Sequence, residues 1–327
     1  MKSFHTLLLS ATLLCGAALP TLAQIQVGSN KVGMMGRPGK LDPADLDDLR
    51  STTTVFTLPD ADMAMKNQYE AAIGKVWKLT KFKVASRQEG MRLLGQPGYS
   101  AFVLGGWTVQ RGNSVNTHLA YDLVMMKEGR GDRLKPEYFA RIILHPDPET
   151  VKESMRSLNR RNGDESMADY LYEQASFANL NPGMLAGYLK EVNDRLAEGS
   201  ERGAFESTSD DQAPQALRRD TLFVPDYVLT KMNMFTGAER ADDNDDADDD
   251  LAKAYPFPVK VVSTADINRR ILAGGKPIYY LVYVRSSTDK FVCVYESGKG
   301  RLLYAQYSPA SYNFKMKDLS RLAKMLR

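Results

Sequence analysis

The sequence predicts an α/β protein, α+β in the sense of mixed sheets, made of two related β-α-β-α-β-β modules joined by a helical segment. Three observations predict it. Residues 53–58 and 221–225 are short β-branched and aromatic runs, each meeting a Pro-Asp pair, Pro59-Asp60 and Pro225-Asp226. Phe82-Lys83-Val84-Ala85-Ser86 corresponds to Val259-Lys260-Val261-Val262-Ser263. In both places a short helical stretch and a Gly/Pro turn then lead into a strand-like run, 99–104 and 278–284. A unit written twice in one chain sets the architecture before any single residue does.

Residues 1–23 follow an export-signal pattern. Lys2 precedes an apolar run over 7–19, and Thr21-Leu22-Ala23 offers small side chains at a cleavage point. The run falls short of the about 20 residues that span a bilayer. The expectation is a cleaved signal peptide, a periplasmic or secreted protein, and no transmembrane segment after cleavage. Cys15 lies in Leu13-Leu14-Cys15-Gly16, where bulky Leu14 suits lipoprotein processing poorly. Losing Lys2 lowers the formal charge of +3 by one, and a near-neutral exported chain is not expected to bind nucleic acid. Losing Cys15 leaves Cys293, between Val292 and Val294, as a lone thiol. It forms no internal disulfide and reads as a small buried hydrophobe.

Residues 24–50 read as a flexible, Gly-rich leader ending in a short helix, with Asp42 as its cap and Pro43 at its first position. Within it, Gly33-Met34-Met35-Gly36-Arg37-Pro38-Gly39-Lys40 invites comparison with a phosphate loop. Met34 stands where the first glycine belongs, Leu41 where the magnesium-binding hydroxyl belongs, and no strand precedes it. No nucleotide is expected there.

The first module, residues 51–145, reads as strand 53–58, helix 62–78, strand 82–85, helix 86–94, strand 99–107, a Gly112-Asn113 turn and strand 117–126, with 138–144 as a further strand. Met65, Tyr69, Ala72, Ile73, Val76 and Trp77 give the long helix an apolar face, opposite Lys66, Gln68, Glu70 and Lys75. His145-Pro146-Asp147-Pro148 then breaks the pattern. Residues 146–200 form a helical connector over 149–158, 164–178 and 182–198. The last helix starts with Asn181 as cap and Pro182 at its first position, and its Leu185, Tyr188, Leu189, Val192 and Leu196 should face inward. Residues 201–218 read as a polar linker. The second module, 219–327, holds strand 221–224, a helix from Asp226, strand 259–262, helix 264–272, strands 278–284, 290–296 and 302–307, and a helix over 315–326. The 278–284 strand is apolar on both faces, as a central strand should be.

Few residues nominate chemistry. Residues 242–250, Asp-Asp-Asn-Asp-Asp-Ala-Asp-Asp-Asp, alternate oxygens as a calcium loop does, but Ala247 holds the glycine position and Lys253 the place of the closing glutamate. A solvated, self-repelling loop explains the run better, with calcium or a basic partner as alternatives. His118 and His145 remain after signal removal, and neither has a second ligand at a metal-like spacing or a neighbouring nucleophile motif. Tyr279, Tyr280, Tyr283, Tyr295, Tyr304, Tyr307 and Tyr312 could form a stacking platform, though cross-strand packing explains them as well; Tyr304 and Tyr307 should face opposite sides. Trp77 and Trp107 suit core or helix–sheet contacts, and Arg160-Arg161 beside Asn162-Gly163 reads as a turn.

The export signal, the Thr52-Thr53-Thr54-Val55-Phe56-Thr57-Leu58 strand, Lys75-Val76-Trp77-Lys78 and Tyr99-Ser100-Ala101-Phe102-Val103-Leu104 resemble uncharacterised secreted α/β proteins of Bacteroidetes type. The resemblance covers most of the mature chain and carries no catalytic residue across. The β-α-β-α-β order is also similar to small periplasmic adaptor domains, which implies binding. The expectation is therefore a non-enzymatic exported binding or adaptor protein of the envelope, whose partner is a protein or envelope component. No catalytic, cofactor-binding or metal-binding residues are assigned. The alternatives are an envelope hydrolase with a site between the modules, involving His118 or His145, and small-ligand or carbohydrate capture on the tyrosine-bearing sheet.

Overall fold

A parallel strand pair needs a crossover long enough to hold a helix, and each half of this chain supplies two such crossovers in succession. The computed structural model describes residues 24–29, 38–111, 114–129, 134–157, 163–203, 213–233, 238–241, 247–286 and 288–327. Module 1 runs β1 (Ile25–Val27), α1 (Pro43–Ser51), β2 (Thr53–Leu58), α2 (Lys66–Val76), β3 (Lys81–Ser86), α3 (Arg87–Leu94), β4 (Tyr99–Arg111), β5 (Ser114–Glu128) and β6 (Leu134–Ile143), followed by α4 (Pro148–Ser157), α5 (Gly163–Glu173) and α6 (Pro182–Glu198). Module 2 runs α7 (Ala213–Arg219), β7 (Leu222–Pro225), β8 (Thr230–Met232), β9 (Glu239–Ala241), α8 (Ala247–Ala254), β10 (Val259–Val262), α9 (Thr264–Ala273), β11 (Tyr279–Arg285), β12 (Lys290–Glu296), β13 (Arg301–Ser308) and α10 (Met316–Met325).

The sheets confirm the repeat strand by strand. Module 1 has the order β3-β2-β4-β5-β6-β1 and module 2 the order β10-β7-β11-β12-β13. In each, the first three strands named are parallel and the hairpin strands that follow are antiparallel. The register agrees as well. Thr54 lies opposite Phe82 and Ser100, and Leu222 lies opposite Val259 and Tyr279. Carried along the ladders, this pairing makes Leu104 the counterpart of Tyr283, and Leu123-Val124 the counterpart of Val294-Tyr295. At those two steps both hairpins carry a β-bulge, with Phe139 and Leu303 as the extra residues. A bulge fixes register and bends its strand, so its recurrence at matched residues marks one template used twice.

Several expectations need correction. The expected runs at 138–144 and 302–307 are the third hairpin strands β6 and β13, which extends the unit to β-α-β-α-β-β-β with a closing helix. The flexible leader is ordered at its start: Ile25 and Val27 are fully buried in β1, which pairs with β6 at the sheet edge. The helix expected over 62–78 opens as a 3-10 turn, Asp60–Met65, lacking a side-chain cap, and becomes α-helical only at Lys66. After Pro225 the expected helix stops at one 3-10 turn, Asp226–Leu229; the β8–β9 hairpin follows, and α8 begins only at Ala247, within the acidic run. The two Pro-Asp pairs are also not aligned, because β2 runs two residues further than β7 before its proline. The end of the expected linker is α7, whose Leu217 is buried in module 2's core.

The faces explain how the modules stack. In module 1, α2 covers Phe56 and Phe102 on one sheet face while α3 covers Val55 and Ala101 on the other. In module 2, α8 lies over the matching Val224 and Leu281, and α9 over the opposite face that carries Tyr280. One continuous core joins module 1's α2 face to module 2's α9 face. The two units thus pack head to tail, like-facing rather than through a two-fold. Between them lies α6, with Leu185, Tyr188, Leu189, Val192 and Leu196 fully buried. It packs beside α2 as α10 packs beside α8, so α6 is module 1's closing helix as well as the layer on which module 2 rests. Its fully buried face suits a helix with neighbours on both sides, whereas α10 shows Lys317, Arg321 and Lys324 to solvent and ends the stack.

Candidate functional site

In open α/β sheets a ligand crevice forms where two parallel neighbours diverge at their carboxyl ends. Here those crevices lie between β2 and β4, and between β7 and β11. The β2–β4 ladder ends at Phe56 opposite Phe102, which leaves the Leu104 N–H unpaired by the sheet. Tyr172 of α5 fills the gap. Its hydroxyl accepts from Leu104 N at 2.7 Å and meets Thr57 Oγ1 at 2.5 Å. Because Thr57 Oγ1 donates to Phe102 O at 2.6 Å, the shared proton on the Tyr172–Thr57 contact comes from the tyrosine. Burial pushes the Tyr172 phenol up to about 12 despite these bonds, so it stays a neutral donor.

Module 2 closes the equivalent crevice with a different residue. Tyr227, in the 3-10 turn after β7, accepts from Tyr283 N at 3.3 Å and donates to Tyr283 O at 3.0 Å. Tyr283 is the counterpart of Leu104, so each module seals the same backbone position with a phenol. His145, arriving from the end of β6, packs its ring against Tyr227 and Tyr283 with centroids 4.7 and 4.9 Å away. Its Nδ1 lies 3.1 Å from Tyr283 O. Burial first, then the Arg285 charge, hold the imidazole well below its usual range, against the bond to Tyr283 O. Sequence reasoning identified His145 but missed Tyr172 and Tyr227; nothing in the spacing of Tyr170-Leu171-Tyr172 separates a crevice plug from an ordinary helix face.

His118 occupies the other module contact. On β5 it stacks on Trp107 of β4, centroids 4.8 Å apart and planes within 14°. Arg141 of β6 lies 3.9 Å over the Trp107 ring and grips Asp122 through two bonds of 2.7 and 2.8 Å. His118 Nε2 is 2.9 Å from Asn116 Nδ2, and Asn116 reaches into module 2's β11–β12 turn. Asp289 in that turn is fully buried and accepts from Tyr307 at 2.5 Å and from Ala310 N at 3.1 Å. Histidine, carboxylate and the Ser286 hydroxyl are thus close neighbours, but Asn116 stands between the imidazole and the rest. All four side chains are buried, so the cluster is a joint between the modules.

The remaining candidates sort by burial. Tyr280 and Tyr295 stack at 5.7 Å inside the shared core, while Tyr283 and Tyr304 face the other core. Tyr307 packs on the side opposite Tyr304, as the alternation requires. These five rings are packed within or against the two cores. Cys293 is fully buried and burial pushes its thiol up to about 12. Trp77 is buried and its indole N–H donates to Thr80 Oγ1 at 2.8 Å. Of the acidic run, 242–246 lies outside the described residues and 247–250 begins α8. The Gly112-Asn113 turn, Arg160-Arg161, residues 30–37 of the phosphate-loop-like stretch and residues 1–23 also lie outside them. Among the described residues no group of three or more His, Cys, Asp or Glu gathers as a metal site, and no helix is long and apolar enough to cross a membrane.

A cleft of about 510 Å³ opens over the carboxyl ends of β2 and β3. Asp60, Ser86, Arg87, Gln88, Met91, Tyr172 and Glu173 line it. Ser86 caps α3 by accepting from Glu89 N, which sets Arg87 and Gln88 in the first helical turn at the cleft wall. Arg87 pairs with Asp169 of α5 and lies 5.5 Å over the Tyr172 ring, and Met91 is 48% exposed on the rim. Two carboxylates, one guanidinium and one exposed thioether suit contact with a polar surface better than enclosure of a small molecule. No family model, no curated protein and no solved structure matches the chain.

Proposed function

We propose that this is an exported, non-enzymatic binding or adaptor protein of the cell envelope, acting in the periplasm or outside the cell on a protein or envelope component. The observation that carries the reading is the closure of both strand-end crevices by the chain's own Tyr172 and Tyr227. Those are the places where an α/β sheet ordinarily holds a small substrate or cofactor, and here the fold spends them on its own cohesion. The signal pattern of residues 1–23 supports export.

The cleft at Arg87 and Met91 is the contact surface this reading assigns. It is concave, mixed in charge and carries a soft, adaptable methionine at its rim. The test is capture from an envelope extract with the purified protein and with an Arg87→Glu/Met91→Lys variant. A component recovered in stoichiometric amount with the first and lost with the second supports the reading. Recovery of nothing stoichiometric counts against it, and equal recovery by both proteins removes the cleft as the contact surface.

A further inference from the structure

We propose that His118 and His145 form an acid-sensitive lock between the two modules: each sits in a contact that holds module 2 on module 1, and each contact requires an uncharged imidazole. At His118 the requirement follows from counting protons. Thr288 N–H, which can only donate, lies 3.1 Å from Asn116 Oδ1, and the Ser286 hydroxyl donates to the same oxygen at 3.0 Å. The Asn116 amide is thereby fixed in orientation. Its Nδ2 then donates one hydrogen to Asp289 Oδ2 at 2.8 Å and faces His118 Nε2 at 2.9 Å with the other. Nε2 must accept, so the ring carries its proton on Nδ1 and is neutral.

Charging His118 would set an N–H against an N–H. Turning the Asn116 amide over gives no relief, because its oxygen would then face the Asp289 carboxylate and its NH₂ group the Thr288 N–H. The groups around the ring come from three directions. β4 contributes Trp107, which also carries Arg141 with its partner Asp122. The β11–β12 turn contributes Asp289, and β13 contributes Tyr307. Asp289 would attract a charged imidazole, but it already accepts from Asn116, Tyr307, Thr288 Oγ1 and Ala310 N.

At His145 the environment acts directly. Its backbone N–H donates to Asn179 Oδ1 at 2.6 Å, and its ring enters module 2 between Tyr227 and Tyr283. The charged group facing it from β11 is Arg285, a cation whose partner is Glu239 of β9. On its own segment Asp147 is engaged in capping α4 through Thr150 N. Burial together with Arg285 disfavours a second positive charge there and outweighs the Tyr283 O that faces Nδ1. A histidine released from either contact titrates near about 6.5. The docked state therefore binds fewer protons than the released state, and its advantage is complete above that pH and shrinks as the pH falls below it.

Hydrogen exchange, corrected for its intrinsic pH dependence, tests the lock in the intact protein at pH 7.5 and pH 5.0. Peptides covering 114–119, 143–147 and 283–291 should lose protection about tenfold or more at the lower pH. Peptides covering β2 and β3 should not. In the His118→Gln/His145→Phe double variant, which keeps an acceptor and an aromatic ring but no titratable group, protection should be the same at both values. Full protection of the wild type at pH 5.0, or equal loss in wild type and double variant, overturns the proposal. Should the double variant fail to fold, imidazole ¹⁵N shifts of the wild type decide. Nε2 of His118 must be bare at neutral pH and both rings uncharged at pH 6.5; either ring half-charged there overturns it.

Discussion

Gly187 of α6 and Tyr280 of β11 touch across the module boundary, so closely that a β-carbon on Gly187 would lie 2.6 Å from the Tyr280 hydroxyl. One turn earlier Gly183 meets α9 in the same way, 2.9 Å from Asn268 Oδ1 and 3.0 Å from the Ile271 Cβ, and its N–H donates to that Asn268 oxygen at 2.8 Å. The two glycines are four apart and share one helix face. They let module 2 approach the α6 backbone itself, which is how a single helix can serve as the closing layer of one unit and the floor of the next.

Gly187→Ala should therefore destabilise the protein even though alanine is the better helix former by about 1 kcal/mol. Overpacking against a buried ring costs about 1–3 kcal/mol. The Tyr280 hydroxyl is buried without a hydrogen-bond partner, so Tyr280→Phe should be neutral or slightly stabilising, and it should open room for the alanine. A double-mutant cycle by urea denaturation checks this. The alanine should cost at least about 1 kcal/mol less in the phenylalanine background, and an additive pair would mean that the clash is relieved elsewhere.

The two crevice tyrosines should respond in the opposite way. Tyr172→Phe strands the buried Leu104 N–H, and Tyr227→Phe strands the N–H of Tyr283. Each leaves a desolvated donor unmade at a cost of about 1–3 kcal/mol. Thermal unfolding of the three Tyr→Phe variants side by side checks the ranking: Tyr172 and Tyr227 should lower the midpoint clearly and Tyr280 should not. Equal effects at all three would mean that the hydroxyls at the crevices do not hold the strand ends.

Much of this architecture is legible in the residues, and the parts that are not have physical reasons. The Phe82–Ser86 and Val259–Ser263 matches are true register partners because a serine cap after a parallel strand fixes both the strand's end and the helix's start. Asn181-Pro182 marks the first turn of α6 for the same kind of local reason. Local signals fail where tertiary contacts decide. β1 is three residues long and is a strand only because β6 offers it an edge. Tyr172 and Tyr227 come from unmatched places in the two copies, so no repeat analysis pairs them. The buried face of α6 predicts an inward helix, but that the inside belongs to two modules is visible only in Gly183 and Gly187.

Lys290 and Asp318 form an ion pair with side chains only 1% and 4% exposed. Lys290 also donates to Asn313 O at 2.6 Å, and Asp318 accepts from Lys315 N at 2.9 Å, the first turn of α10. Removing one partner leaves a buried charge, at about 3–5 kcal/mol. Asp318→Ala should thus be strongly destabilising, while Lys290→Met/Asp318→Leu should recover most of the loss. Chemical denaturation of the single and double variants checks it. A double variant as unstable as Asp318→Ala would show that the cap to Lys315, lost in both, is what matters.

Cys293 offers a direct reading of how cooperatively module 2 opens. It sits on β12, paired on one side with Val282 of β11 and on the other with Ala305 of β13, and it is fully buried. With its thiol pushed up to about 12, only roughly one part in ten thousand is thiolate at pH 8, and the thiolate is the reactive form. Ellman's reagent should leave Cys293 of the folded protein untouched and modify it in denaturant. Because both neighbouring ladders must part before the sulfur is reached, labelling in sub-denaturing urea should track global unfolding. A labelling rate that is fast and independent of urea would instead mean that the β11–β12–β13 hairpins open locally while the rest of the stack stays folded.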